Sequence, residues 1–276
     1  MKVLGVLAVR ILVEARWTLA LSTLALFSLG WLGVNRTARF EAQIREAIAR
    51  GNPDDLARVA RRSGLAMMDV TSVVIEMNWW NLPMILLPVV AWAIGRGSFA
   101  AAGDLERGTM DLILSRPVAR SAYLLSHVLA AVLGLVGLAA GLVAGHAAGL
   151  RYNTVADPPP LALVLGPAAN LASLGFAVFG FTLVASSLDR ARWRPNLIGS
   201  VLTLGSFILT VVANMPGMEE WKPIEKFSIF RAYNPVEVVS SGKTLGPNVA
   251  TLIGLGVAAV GVALAAFSRR DLPAGS

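Results

Sequence analysis

The sequence predicts an all-α polytopic membrane protein: six transmembrane helices, an N-terminal interfacial helix, a helical insert between the second and third spans, and helical loops on the opposite side. Three observations predict it. Of 276 residues, 55% are hydrophobic and only 15% charged, against roughly a quarter charged in ordinary soluble domains. The mean hydropathy is +0.65. The apolar residues fall in blocks of about twenty, the length a helix needs to cross a hydrocarbon core roughly 30 Å thick, with no strand-like alternation.

Residues 1–16 place Arg10 and Glu14 four apart on one helical face among Leu4, Leu7, Ile11 and Leu12. That pattern suits a helix lying in the membrane interface. The spans then run Trp17–Val34, Leu82–Ala102, Tyr123–Leu150, Leu161–Leu188, Leu197–Met215 and Val249–Phe267. No small-residue cleavage site follows the first, so it reads as a retained span. The stretch 35–80 is expected to be a helical loop: Asn52 can cap a helix with Pro53 at its first position and Asp54 and Asp55 in its first turn, where the helix dipole favours negative charge. Trp79 and Trp80 are expected at headgroup depth, which indole rings prefer. Loop 216–247, with Trp221, Phe227, Phe230 and Tyr233 among charges, is expected to rest on the same membrane surface. The run at 156–160, ADPPP, makes a rigid turn. Neither an internal repeat nor a low-complexity tract is visible, so one membrane domain, 1–276, is expected.

An even number of spans puts both termini on one side. Lys2, Arg10, Arg16, Arg96, Arg107, Arg116, Arg120, Arg190, Arg192, Arg194, Arg269 and Arg270 cluster at span ends in short segments on that side. On the other side Arg36, Arg39, Arg45, Arg50, Arg58, Arg61 and Arg62 sit in the long first loop, where charge has little say in orientation. Both termini are therefore expected in the cytoplasm. The net charge of +7 reads as contact with anionic headgroups. It does not read as nucleic-acid binding, because no basic stripe with interleaved aromatics exists.

The stretch 103–127, GDLERGTMDLILSRPVARSAYLLSH, is too long for a simple turn. In a helix from about Leu105 to Ser115, Met110, Ile113 and Leu114 share one face while Glu106, Arg107 and Asp111 point elsewhere. Pro117 then restricts Arg116 to extended geometry and opens the next helix. Spacing alone leaves two readings: a short helix that docks in a partner's groove and transmits a push, or an ordinary interfacial loop helix.

Glu106, Gly108, Thr109, Leu112, Leu114, Arg116, Pro117, Val118 and Arg120 resemble the E-x-G-T…LL..RPv.R signature that follows the second span in permeases of type 2 ATP-binding-cassette exporters. VRILVEAR before the first span, YNPVEVVSSG at 233–242 and FSRRDL at 267–272 are similar to that family's pattern at the matching places. The resemblance implies that segment 103–121 is a coupling helix, with Glu106, Gly108, Thr109, Asp111, Leu112, Leu114, Arg116, Pro117 and Arg120 contacting a separate ATPase subunit. That partner would carry the ATP and Mg, leaving no cofactor and no catalysis on this chain. A bacterial inner membrane, export of an unidentified substrate and pairing with a second permease copy are expected in consequence. The sequence departs from the signature at Ser126 and His127, where the family has Gly-Lys. A titratable imidazole there reads either as a pH sensor or as a polar anchor for the third span.

Gly137, Gly141, Gly145 and Gly149 recur every fourth residue along the third span and define a face where another helix backbone can approach. The neighbour is either in the same chain or in a second copy. His146 beside that stripe reads as a satisfied polar residue in preference to a metal ligand. Asn170, Ser173 and Thr182 in the fourth span, with Thr203, Ser206 and Thr210 in the fifth, are expected to hydrogen-bond between helices. No carboxylate lies at mid-depth, which argues against proton coupling and for an apolar or amphipathic cargo. Zero cysteines exclude disulfides and thiolate chemistry. SGKT at 241–244 lacks the first glycine of a phosphate-binding loop, and no hydrolase or protease motif appears. Two rival functions remain: a non-transporting scaffold or cofactor-maturation subunit that recruits an extracytoplasmic partner through 35–80, and an integral membrane enzyme acting on lipid.

Overall fold

The computed structural model describes residues 2–50, 77–108, 119–155 and 158–270. Six of its helices are long and apolar enough to cross a membrane, and the chain is a multi-pass all-α membrane protein.

Helix α1, Lys2–Glu14, meets α2, Arg16–Ala49, at a turn on Ala15. One face of α1, Ala8 and Ile11, packs on Ala130 of the third span. The other presents Val6, Val9 and Val13 outward, so the helix is docked on the bundle as well as amphipathic. Helix α2 has 34 residues and is about 51 Å long at 1.5 Å per residue. The first span and the start of the expected loop are therefore one helix. Nothing between Gly33 and Ala49 breaks it, and Glu41–Arg45 and Glu46–Arg50 pairs lie one turn apart along its polar end. The expected cap at Asn52 to Asp55 lies outside the described residues.

Helix α3, Pro83–Ser98, starts with proline at its first turn and runs into a π-helical turn, Phe99–Gly103, and a last α turn, Asp104–Glu106. Helices α4, Arg120–Tyr152, and α5, Leu161–Leu188, follow, the latter entered from Pro160. Helix α6 is Trp193–Ala213, α7 is Pro235–Ser241 and α8 is Leu245–Arg269. Helix α5 is the axis of the bundle and touches α3, α4, α6 and α8, whereas α2, α6 and α8 leave most of their length facing outward.

The end of the bundle away from the termini is more tightly built than expected. Trp79 and Trp80 both pack against other parts of the chain. The Trp79 indole lies on Gly33 and donates to the Leu29 carbonyl at 3.0 Å. Trp80 is fully buried in a cluster with Met77, Leu171, Phe230 and Tyr233. The second part of loop 216–247 packs into the bundle, where Phe230 and Tyr233 are buried, Asn170 donates to the Ala232 carbonyl at 2.8 Å and Tyr233 Oη donates to the Trp80 carbonyl at 3.1 Å, while Trp221 and Phe227 in its first part stay exposed. Ser206 and Thr210 meet Ser228 Oγ at 3.1 and 2.6 Å and tie α6 to that loop. Ser173, Thr182 and Thr203 bond instead to carbonyls of their own helices, four residues back. A hydroxyl in an apolar helix finds that local acceptor without needing a neighbour.

Candidate functional site

The end that carries both termini gathers most of the residues of interest, and the π turn at Phe99–Gly103 sets its shape. Such a turn leaves backbone groups out of the regular ladder, and in an apolar setting another group must satisfy them. Ser186 of α5 does so. Its hydroxyl donates to the Ser98 carbonyl at 3.0 Å and accepts from the backbone N–H groups of Ala101 and Ala102 at 3.2 and 3.0 Å. One side chain thereby locks the bend of the second span onto the centre of the bundle.

The bend carries Asp104 inward to Tyr123 of α4. The Tyr123 hydroxyl reaches both the Asp104 carboxylate and the Ala100 carbonyl, the latter at 3.0 Å; its single proton serves one acceptor at a time. His127, one turn along α4, is 3% exposed and packs edge-on against Tyr123 with 4.9 Å between ring centroids. Its Nε2 lies 3.7 Å from Asp104, beyond hydrogen-bond distance. These residues, with Ser126, Phe99, Arg107 and the Leu7, Arg10, Ile11 and Glu14 face of α1, line a cavity of about 340 Å³. His127 therefore lines this open cavity at the termini end of the bundle. Among the described residues no group of three metal-ligating side chains forms.

The helix expected from about Leu105 to Ser115 does not run through Gly108, where the second span closes instead. Gly108 takes φ of +67° and its N–H bonds back to the Leu105 carbonyl at 3.1 Å, a left-handed closing turn that glycine adopts without strain. Just before it, Glu106 reaches sideways, and its Oε2 accepts from the backbone N–H of Arg192 at 2.8 Å, at the first turn of α6. Where the chain returns, Arg120 donates to the Arg270 carbonyl at 2.7 Å, and the Arg270 guanidinium donates to the carbonyls of Ser187 and Asp189 at 3.1 and 2.8 Å. The two ends of the insert are thus fastened to different spans: Glu106 to the start of α6, Arg120 to the ends of α8 and α5. Thr109, Asp111, Leu112, Leu114, Arg116 and Pro117 lie outside the described residues, as does the amphipathic face of the insert.

The link between α5 and α6 is a compact turn. Asp189 Oδ1 accepts from the N–H groups of Arg190 and Ala191 at 2.7 and 3.1 Å and lies 3.7 Å from Arg194. Partial burial pushes its carboxyl up, but the two backbone donors and the charges of Arg194 and Arg270 outweigh that and hold it below the usual carboxylate range.

Three members of the glycine stripe meet α2. A Cβ on Gly141 would come within 2.6 Å of Thr23 Cγ2, one on Gly149 within 2.7 Å of Val34 Cβ, and one on Gly145 would overlap the Phe27 carbonyl. Gly30 of α2 answers them, closing on the backbone of Leu142 and His146. Gly137 does not join: a Cβ there meets nothing within 4 Å in this chain, because the stripe turns off the contact. Gly134, not singled out from the sequence, instead faces Trp92, whose indole donates to the Ala131 carbonyl at 3.3 Å. His146 is buried where α4 meets α2.

Sequence reasoning placed Arg192 and Arg270 at this end by charge alone and did not single out Phe99, Asp104, Tyr123 or Ser186. An acid at the very end of an apolar block was a usable signal for Asp104. For Ser186, one hydroxyl among many in the spans, there was none. A second cavity of about 390 Å³, almost wholly apolar, opens between α3 and α6 along Leu87, Val90, Ala91, Ser200, Thr203 and Leu204.

Residues 10–272 match a family model described as ABC-2 family transporter protein. No curated protein matches the chain.

Proposed function

The chain belongs to the ABC-2 family of transporter proteins, and from that premise we propose that it is the permease subunit of an ATP-driven exporter. A separate ATPase docks on segment 103–121, hydrolyses ATP with its own Mg, and drives export of the substrate from the cytoplasm. Both termini and the docking segment face the cytoplasm, in a bacterial inner membrane. A second permease copy completes the assembly. This chain supplies the passage and the mechanical link, not the catalysis.

The observation that carries the coupling reading is the hydrogen bond from Arg192 N–H to Glu106. A push on a segment joined only by flexible chain would dissipate, whereas one anchored at Glu106 to α6 and at Arg120 to α8 and α5 moves spans. The apolar groove between α3 and α6 supports an apolar or amphipathic cargo.

The test is reconstitution with the cognate ATPase. Hydrolysis is expected to rise when the permease is added and to lose that rise with Arg120→Ala, while a single cysteine at Gly108 reacts with a membrane-impermeant maleimide only in inverted vesicles. Labelling of that cysteine from the outside of intact cells would end the coupling assignment.

A further inference from the structure

We propose that Arg96, Arg107 and Arg192, gathered on the ring of Phe99, form a binding site for a phosphate group at the termini end of the bundle. The three guanidinium carbons lie 5.1, 4.7 and 5.3 Å from the ring centroid. They come from α3, from the turn that closes it, and from the start of α6. Phe99 is 5% exposed, so its ring is a fixed platform, and cation–π attraction holds each charge beside the others despite their mutual repulsion.

Like charges brought together, with Arg96 and Arg192 partly withdrawn from water, call for a counter-anion. The neighbouring carboxylates each have another partner, Glu14 with Arg10, Asp104 with Tyr123, Glu106 with the backbone of Arg192, and Asp189 with its own turn and Arg194, and Glu14 and Asp104 act on Arg96 only through space. Among the described residues none of the three arginines forms an ion pair. Guanidinium forks match the spaced oxygens of a phosphate, and three forks exceed what a single carboxylate needs.

The site also lies at the depth of a lipid headgroup. From Arg192, α6 continues into an outward apolar stripe, Leu197, Val201 and Leu204, and begins with Trp193, 61% exposed beneath the Arg194 guanidinium. Aromatic and basic residues that flank an apolar stripe mark the membrane–water boundary. A phospholipid phosphate from the adjoining leaflet reaches Arg96 and Arg192 from that side. A soluble phosphate brings the same chemistry from the aqueous side.

Native mass spectrometry of the full chain in neutral detergent, with phosphatidylglycerol titrated in, reads the site directly. Wild-type protein is expected to retain a bound lipid that the double variant Arg96→Gln, Arg192→Gln binds about tenfold more weakly, with Arg194→Gln unchanged. Phe99→Leu keeps apolar bulk but removes the ring face, and is expected to weaken binding several-fold while all three charges remain. A parallel titration with inorganic phosphate separates the sources. Lipid binding that phosphate does not displace supports the headgroup, and phosphate binding without lipid binding supports a soluble anion. Equal retention of both probes by wild type and double variant, binding of neither by wild type, or full affinity in Phe99→Leu would overturn the proposal.

Discussion

The carboxylate of Glu106 accepts a hydrogen bond from the backbone N–H of Arg192 at 2.8 Å, joining the closing turn of α3 to the first turn of α6 across 86 positions of sequence. A free N–H at the start of a helix is a natural acceptor-seeking group, and here a carboxylate from another span satisfies it. The bend of one span and the start of another therefore move as a unit.

Breaking that link should uncouple without unfolding. Glu106 is exposed, so Glu106→Ala removes a single charge-assisted hydrogen bond worth about 1–2 kcal/mol. Partner-stimulated ATP hydrolysis is expected to fall several-fold while the unfolding midpoint shifts little, with Glu106→Gln intermediate because its amide oxygen still accepts. Unchanged stimulation in Glu106→Ala would separate the hydrogen bond from coupling.

The π turn in the second span should depend on one hydroxyl. Ser186→Ala leaves the N–H groups of Ala101 and Ala102 without that acceptor in a buried setting, at a cost of roughly 2–3 kcal/mol. Ser173→Ala, whose hydroxyl bonds only to its own helix at the Ala169 carbonyl, is expected to cost about 0.5 kcal/mol or less. Denaturation by sodium dodecyl sulfate titration compares the two, and equal effects would refute the role given to Ser186.

The glycine stripe should divide by position. Gly145→Ala forces α4 off the Phe27 carbonyl, and overpacking of this kind costs about 1–3 kcal/mol. Gly137→Ala meets open space and replaces a poor helix former, so it is expected to be neutral or to stabilise by up to about 1 kcal/mol. The same titration decides, and a large loss in Gly137→Ala would point to a contact with another molecule.

Acid should loosen the turn between α5 and α6. Because the Asp189 carboxyl is held below its ordinary value, its contribution is fully present above the unfolded-state pKa of about 3.9 and is lost as pH falls through the folded one. Asp189→Asn keeps an acceptor oxygen but loses the charge facing Arg194 and Arg270. The difference in melting temperature between wild type and Asp189→Asn is therefore expected to be constant from about pH 5 to 8 and to shrink below about pH 4. A difference that persists undiminished at the lowest pH would show that geometry, not charge, carries the turn.

How much of this was legible beforehand depends on the range of the interaction. Six spans follow from runs of apolar residues, a signal contained within each segment, and the observed helices differ from the expected bounds by a few residues at most ends. The larger difference is α2, whose extension past Asn35 follows from an absence of helix breakers that hydropathy does not register. The packing partners of Trp79 and Trp80 were not legible for a related reason. An indole's general preference for the interface says nothing about a particular glycine, Gly33, that offers it a seat.

The sequence by itself determined that the chain crosses a membrane, where it crosses, and which insert carries the family's signature, because burial in lipid is decided residue by residue along a helix. Only the tertiary structure decided that Ser186 locks a π turn, that Glu106 grips α6 and Arg120 the end of α8, that Gly145 and not Gly137 meets α2, and that three arginines share Phe99. Each of those is a pairing between positions distant in sequence. Spacing along one helix fixes which residues share a face, but what that face meets depends on the rotation and bend of its neighbours, which packing sets collectively.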